Sequence, residues 1–574
     1  MAVATASVDL DLGRARRRDA WLAVVLAGLV TAYDVWILAT PIAPYFDAKG
    51  QAPVLLVIAR RSAGLLGLLA AQALFFWASS SSPPPVRAAA VGLYAAVTFI
   101  EYGFVAGAGG VMNAHDIPMA FQSVKYWPSM IRAFVDWRAL PPVALYAATL
   151  CLRRRSSPVW ARRWILAATF VLLVHGAHGA AYLKRNFEFG DPNGAVPPMS
   201  AFQSFVRTMV LSGCDYAAEA LQPYRRQSVD YRASTVPRSH VVLVIDESVS
   251  AAHLSLSGYG RATTPWLEEL QRKGALTTWG QAASASVYSN ASIGALVTGF
   301  NAFPDLQHRL FTLPTIFQFA RAMNYRTHLF DGQLTVRRFG LSPGDMRSVD
   351  DWQNASAFGD DPDTDLRMAR AAARVLEEPA GQFVVILKRG NHEPQENNYP
   401  KGSGFWRPSG DGVVVSGEEQ AARTNTYDNA IRYNVDAFFR ALLQPDGRLP
   451  RTVGIYTSDH GEMLGEHGGT PFVRKLVPEV VTVPLVMFGD DRPQVDTRYA
   501  ASHHNIFATM LDLMHVPSTE RQWSYGRSLV GARATDRDPR PVLSGYMFGS
   551  GYSYEVKDFD AIWQARSAAA IASP

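Results

Sequence analysis

The stretch of the chain with the clearest chemical potential is residues 456–467, with the sequence YTSDHGEMLGEH. Asp459 and His460 stand side by side there, directly after residues 452–456, a short β-branched and apolar run that predicts a buried strand. In open α/β sheets, ligands bind where strands end, and an adjacent carboxylate and imidazole can bind a metal such as zinc. The alternative is a strand-end turn in which the aspartate caps the next helix.

Two further apolar runs end in residues that can bind a metal or move a proton. Residues 240–245 lead into Glu247, and residues 382–387 lead into His392. Near-continuous apolar strands are typical of a largely parallel sheet that is covered on both faces. Because such strands end at one edge, we expect these side chains to meet in space. The alternation of strand-like and helix-like segments predicts an α/β domain over residues 239–574.

The first 183 residues have a different character, because they contain long apolar stretches. A transmembrane helix needs about 20 mostly apolar residues, and five stretches are predicted to span a membrane: 20–42, 62–79, 88–108, 137–152 and 164–183. Residues 184–238 are predicted to be a linker with interfacial helices.

The basic residues cluster beside these apolar stretches. The formal net charge is +5, and arginines are concentrated at residues 14–18 and 153–163. Nucleic-acid binding would require basic and aromatic side chains on one folded face, whereas this arrangement is the positive-inside pattern of a membrane protein. The pattern predicts a membrane partner, no nucleic acid, and an outside location for everything after residue 183. The predicted outer loop around Asn113 either holds a lipid head group or forms an interfacial helix without a ligand.

The motifs of the outer domain resemble those of the alkaline-phosphatase/sulfatase superfamily, and most closely those of the membrane-bound phosphoethanolamine transferases. The resemblance is carried, in chain order, by residues 246–248, 253–265, 391–394, 425–431, 458–466 and 502–505. It implies five N-terminal transmembrane helices followed by an alkaline-phosphatase/sulfatase-like α/β/α domain with a mostly parallel central sheet. It also implies a multi-pass protein of the inner membrane with its catalytic domain in the periplasm.

The resemblance also implies a zinc site and a nucleophile. The family's zinc carboxylate falls on Glu247, and its Asp-His pair falls on Asp459 and His460. The family's nucleophile is a Thr followed three positions later by Ser. Ser289 stands at this spacing and is predicted to be both the nucleophile and a metal ligand, with Ser286 as the alternative.

Other family positions map less directly. His392 is predicted to protonate a leaving group or to bind phosphate oxygens. Arg337 or Arg338 replaces a lysine that contacts phosphate, and His467 is the nearest match to a later histidine. The chain departs from the family's Ser-His-Gly-Pro segment, because Glu393 stands in place of the glycine.

Three further histidines are predicted to be structural. His253 follows the first motif, and His503 and His504 are expected at the end of a helix rather than as metal ligands.

The function implied by the resemblance is zinc-dependent transfer of phosphoethanolamine from a phospholipid, phosphatidylethanolamine, to lipid A or an envelope glycan through a phosphoserine. A phosphoglycerol transferase, a phosphodiesterase and a sulfatase are alternatives within the superfamily. A sulfatase would need Pro and Arg after its nucleophile, and residues 289–293 contain neither. A catalytically dead membrane scaffold is the alternative from another class.

Overall fold

The computed structural model describes residues 2–37, 54–108, 135–151, 158–188, 202, 205–206, 209–210, 226–301, 312–333, 341, 344–409, 417–465, 476–521, 523–544 and 555–572. The chain divides into two compact units. The first comprises Met1–Gln222 with Phe548–Ser553, and the second comprises Pro223–Met547 with Tyr554–Pro574.

The first unit is helical. Its described helices are α1 (Ala2–Ile37), α2 (Val54–Ser80), α3 (Pro84–Ala108), α4 (Leu140–Cys151) and α5 (Trp160–Glu188). An aromatic cluster joins α2, α3 and α4: the Tyr146 ring lies 4.5 Å from that of Phe76 and 4.9 Å from that of Tyr94. The Tyr146 hydroxyl also donates to Ser79 Oγ at 2.6 Å, which satisfies its buried polar group.

Each predicted span overlaps one of these helices. By length and composition, one described segment, Ala20–Ile37, could cross a membrane, and Leu66–Ser80 is a shorter apolar helix. All five membrane spans stay predictions.

The second unit is built on a seven-stranded sheet with the order β2-β7-β6-β1-β5-β3-β4. Its strands are β1 (His240–Asp246), β2 (Leu276–Ala283), β3 (Arg326–Asp331), β4 (Asp351–Gln353), β5 (Gln382–Leu387), β6 (Thr452–Ser458) and β7 (Thr482–Phe488). Strands β6, β1, β5, β3 and β4 are parallel to one another, and β7 is antiparallel to both β6 and β2. A two-stranded antiparallel sheet pairs β8 (Pro541–Ser544) with β9 (Glu555–Asp558).

Helices connect the strands of this unit. The described ones are α6 (Pro265–Arg272), α7 (Ser289–Thr298), α8 (Ile316–Ala322), α9 (Ala355–Phe358), α10 (Thr364–Val375), α11 (Gly417–Ile431), α12 (Ala437–Leu442), α13 (Pro478–Val481), α14 (His503–Leu513) and α15 (Phe559–Ala572). A π-helical turn, Arg432–Asp436, joins α11 to α12.

Alternate side chains of β1 enter two different cores. Val241, Leu243 and Ile245 pack in one cluster with residues of α8 and α14. Val242 and Val244 pack in the other cluster with residues of α10, α11 and α12. Because successive side chains of a strand point to opposite faces, the sheet is covered on both sides. The prediction of a mixed α/β domain with a mostly parallel central sheet is confirmed.

The register of the sheet aligns the ends of its three central strands. Asp246 at the end of β1 is paired with Ser458 at the end of β6. On the other side, Ile245 is paired with Leu387, the last residue of β5. The residues that follow these strands therefore emerge side by side at one edge.

Candidate active site

Four of the predicted site residues come together at this edge. Potential ligand atoms of Glu247, Asp459 and His460 lie within 4.8 Å of one another. The Ser289 hydroxyl donates to Glu247 Oε2 at 3.3 Å and lies 3.2 Å from His460 Nε2. The two carboxylates and the imidazole are buried, and the serine is half-buried. A hydroxyl is thus held against a compact group of potential metal ligands.

The turn after β1 fixes the first carboxylate. Ser248 adopts a left-handed backbone with φ of 57°, which a residue with a side chain adopts only when its surroundings impose it. Its N–H donates to Asp459 Oδ1 at 3.0 Å, and its Oγ donates to Glu247 Oε1 at 2.8 Å. Ser248 therefore links the metal-type residues that follow β1 and β6.

Backbone contacts orient the imidazole of His460. Its Nδ1 lies 2.8 Å from the carbonyl oxygen of Gly461, so Nδ1 carries the proton and Nε2 faces the cluster as a lone pair. A side chain cannot replace the glycine hydrogen, because a Cβ on Gly461 would lie 2.1 Å from the carbonyl oxygen of Glu479.

Ser289 is the first residue of α7, and the two other serines of this segment have structural roles. Ser286 is buried, and its Oγ accepts a hydrogen bond from Tyr288 N at 3.0 Å. Ser292 Oγ donates to Ser286 O and accepts from Ser286 N, each at 3.1 Å. Of the two nucleophile candidates, Ser289 is therefore the one beside Glu247 and His460. Negative charge on its oxygen would also be favoured by the helix dipole.

His503, the first residue of α14, supports the nucleophile segment from behind. Its Nδ1 accepts from Ala285 N at 3.1 Å, and its Nε2 lies 3.2 Å from Thr457 Oγ1. Burial lowers its pKa to about 3, so the ring is neutral at physiological pH. His504 Nε2 lies 3.0 Å from Pro541 O. Both histidines occupy the helix-end positions expected for them.

A buried ion pair beneath the site was not predicted from the sequence. Lys388, the residue after β5, pairs with Asp246, and both side chains are fully buried. Asp246 Oδ1 also accepts from Glu247 N at 3.0 Å, and Tyr456 Oη donates to Asp246 Oδ2 at 2.8 Å. Burial raises the pKa of Asp246, although Lys388 opposes that shift. A lysine at the end of an apolar strand was the signal available in the sequence.

The loop after β5 carries His392 and contacts the turn after β1. Asn391 N donates to Glu247 O at 2.9 Å, which fastens the loop to the turn after β1. His392 itself is exposed, and its Nδ1 lies 2.6 Å from Glu393 O. Tyr427 of α11 secures the same turn, because its hydroxyl donates to Ser248 O at 2.7 Å.

His253 contacts Asp428 and not the ligand cluster. Its Nδ1 lies 2.8 Å from Asp428 Oδ1, and the same buried carboxylate accepts hydrogen bonds from Tyr259 and Arg261. These contacts hold the segment after β1 against α11, in agreement with the structural role expected for His253.

The donor set fits a zinc ion. Two carboxylates, one neutral imidazole nitrogen and a hydroxyl are ligand types that zinc accepts in four-coordinate sites. Oδ2 of Asp459 is buried and receives no hydrogen bond from any residue that the structure describes, and a cation would satisfy it. Oδ1 of Asp459 accepts from Ser248 N at 3.0 Å and from His460 N at 2.7 Å, and hydrogen bonds of this kind favour the ionised carboxylate.

Four predicted substrate contacts cannot be compared with this geometry. Asn113, Arg337, Arg338 and His467 lie outside the described residues.

Comparison with known proteins confirms the resemblance. Residues 239–516 match the family model described as Sulfatase. Kdo(2)-lipid A phosphoethanolamine 7''-transferase of Escherichia coli K12 is 25% identical over 264 residues, which cover 45% of each protein. Phosphoethanolamine transferase EptA of Helicobacter pylori is 24% identical over 392 residues, covering 66% of this chain and 69% of that protein.

The matches are partial in length. The first of these relatives is matched over about half of its length. Among solved structures, the integral membrane protein lipooligosaccharide phosphoethanolamine transferase A from Neisseria meningitidis superposes with a TM-score of 0.53 at 18% identity, covering 85% of this chain and 95% of that one. This similarity shows a shared fold.

Proposed function

We propose that this chain, which belongs to the alkaline-phosphatase/sulfatase superfamily and has phosphoethanolamine transferases among its relatives, is itself such a transferase. The donor is a phospholipid, phosphatidylethanolamine, and the acceptor is lipid A or an envelope glycan. The observation that carries the proposal is the Ser289 hydroxyl at the start of α7, within 3.3 Å of both Glu247 and His460.

A Zn²⁺ ion would be held by Glu247, Asp459 and His460, and the Ser289 hydroxyl would be a further ligand. When bound, zinc lowers the pKa of a coordinated hydroxyl and neutralises charge on phosphoryl oxygens.

Ser289 is the nucleophile of the first half-reaction. Its Oγ, whose hydroxyl donates to Glu247, forms a bond to the phosphorus of the donor, and its proton passes to solvent water. The bond between phosphorus and the diacylglycerol oxygen breaks. His392, as an imidazolium, gives that oxygen a proton, and diacylglycerol leaves.

The second half-reaction returns the enzyme to its starting state. An acceptor oxygen attacks the phosphoserine and loses its proton to His392. The Ser289 oxygen leaves and recovers a proton from solvent water. Arg337 or Arg338 neutralises charge on the phosphoryl oxygens, and Asn113 and His467 contact substrate.

We place the first unit in the inner membrane as five spans, with the second unit in the periplasm. This proposal is supported by large apolar side chains exposed on the helices of the first unit: Trp21, Leu29, Trp36, Leu66, Leu93, Ile165, Leu166, Leu172 and Leu173. Exposed apolar side chains in this number are unfavourable in water and favourable in lipid.

The direct test is transfer of a labelled head group. Full-length protein in detergent is incubated with ethanolamine-labelled phosphatidylethanolamine and separate envelope lipid and glycan fractions, with Ser289→Ala as the control. Label that enters one acceptor fraction only with the wild type supports the proposal and identifies the acceptor. If the wild type instead releases free phosphoethanolamine with the lipid fraction and with the glycan fraction, the chain is a phosphodiesterase.

A further inference from the structure

Glu393 and Arg423 form an ion pair that the proposed chemistry does not use. Arg423 Nη2 lies 2.7 Å from Glu393 Oε1. The guanidinium side chain is 6% exposed and the carboxylate side chain is 18% exposed. The arginine is therefore the buried member of the pair, and the glutamate is the member that a ligand can reach.

Both members of the pair are attached to the catalytic turn. Glu393 lies two residues after Asn391, whose N–H donates to Glu247 O. Arg423 lies one turn before Tyr427 on α11, and the Tyr427 hydroxyl donates to Ser248 O. The ion pair consequently joins two segments that both contact the turn after β1, and Glu393 directly follows His392 in the chain.

The arginine holds the carboxylate in one orientation. A guanidinium keeps its charge at all physiological pH values, and a carboxylate can accept several hydrogen bonds at once. Nε of Arg423 is buried and has no hydrogen-bond partner in the part of the chain that the structure describes. Burial of the arginine removes its Nε from water without a replacement hydrogen bond. The carboxylate is more exposed than the arginine and can accept a second hydrogen bond, from a cationic ligand.

We propose that Glu393 is a specificity residue that binds the ammonium group of the donor lipid, and that Arg423 positions it. The inference rests on the proposed function. In a phosphoethanolamine head group, two carbons and the ester oxygen separate the amine from phosphorus. Adjacent Cα atoms are about 3.8 Å apart. A phosphoryl group bound by the loop after β5 therefore has its amine a short distance away, and Glu393 supplies a carboxylate on the same loop.

The Glu393 carboxylate distinguishes a cationic head group, which can donate to it, from an uncharged one. A donor with an uncharged head group, such as phosphatidylglycerol, gains nothing from that charge.

The test is a competition between two donors on the full-length protein in detergent. Equimolar phosphatidylethanolamine and phosphatidylglycerol are supplied without acceptor, and the two Ser289 adducts are distinguished by intact mass. The wild type is expected to favour the phosphoethanolamine adduct. Glu393→Gln is expected to reduce that preference about 10–100-fold, the worth of a hydrogen bond to a charged group, without loss of the phosphoglycerol adduct.

Two further variants separate recognition from folding. The charge-reversed double variant Glu393→Arg with Arg423→Glu keeps an ion pair but presents a cation, so it is expected to lack the preference. Recovery of the wild-type ratio would show a purely structural pair and overturn the inference. Glu393→Asp keeps the negative charge and is expected to keep the preference.

A matched control comes from an ion pair elsewhere in the second unit. Glu378 pairs with Arg326 at 3.4 Å, and Glu378→Gln is expected to leave the adduct ratio unchanged. Equal ratios for the wild type and Glu393→Gln overturn the inference alone. Absence of any adduct in the wild type overturns the proposed function and the inference with it.

Discussion

The Oγ atom of Ser289 lies 3.2 Å from Nε2 of His460, although 171 positions separate the two residues in the chain. The contact exists because α7 begins and β6 ends at the same edge of the sheet. It brings a nucleophile to a group of side chains with the composition of a zinc site. The following predictions test what this contact and its surroundings contribute.

His460→Gln is expected to weaken zinc binding at least about 100-fold, because loss of a ligand costs no less than loss of an outer-shell partner. Zinc affinity is measured by competition with a chelator on the purified full chain. His253→Gln is the control, because His253 contacts Asp428 and not the ligand cluster. Unchanged affinity in the His460 variant would exclude the proposed ligand set.

Lys388→Met is expected to lower the free energy of unfolding by about 3–5 kcal/mol, because it leaves the fully buried Asp246 without its partner. Adding Asp246→Asn should recover part of this loss. Denaturant unfolding, followed by a probe of the second unit, measures the effect. The control is Lys273→Met, which removes an exposed pair with Glu269 and should have a much smaller effect, because water screens exposed ion pairs. Equal effects of the two lysine variants would contradict the account.

Acid is expected to destabilise the second unit through His503. Burial lowers the pKa of this histidine from 6.5 to about 3. The unfolded chain therefore binds a proton below pH 6.5 that the folded chain does not accept until near pH 3. The stability contributed by the neutral ring is present above pH 6.5 and falls with acidification, by up to about 1.4 kcal/mol per pH unit.

The measurement is the melting temperature between pH 7 and pH 4. His503→Gln should give a shallower decline than the wild type, whereas the control His515→Gln, at an exposed position, should follow the wild type. Parallel curves for all three proteins would show that His503 does not contribute.

The local sequence pattern was sufficient to predict the three central strands of the sheet. The apolar runs of β1, β5 and β6 predicted strands, and the rule that parallel strands end at one edge predicted that Glu247, Asp459 and His460 would meet. The choice of Ser289 came from motif spacing, and the structure adds that Ser286 is engaged in local hydrogen bonds.

The pattern was not sufficient for pairings between distant segments. Nothing in residues 482–488 shows that β7 is antiparallel to its neighbours, because strand direction depends on how the chain returns to the sheet. Lys388 and Arg423 were missed for a related reason. Lys388 pairs with a carboxylate 142 positions away, and Arg423 pairs with one 30 positions away. A basic residue can be recognised as buried only when its acidic partner is known.

The most direct test of the central claim is the mass of the intact protein after incubation with phosphatidylethanolamine in the absence of acceptor. We predict a phosphoethanolamine adduct on the wild type and on Ser286→Ala, and no adduct on Ser289→Ala. An adduct that persists in Ser289→Ala and disappears in Ser286→Ala would contradict the assignment of the nucleophile. A zinc-loaded wild type that transfers the head group without ever forming an adduct would contradict the covalent mechanism.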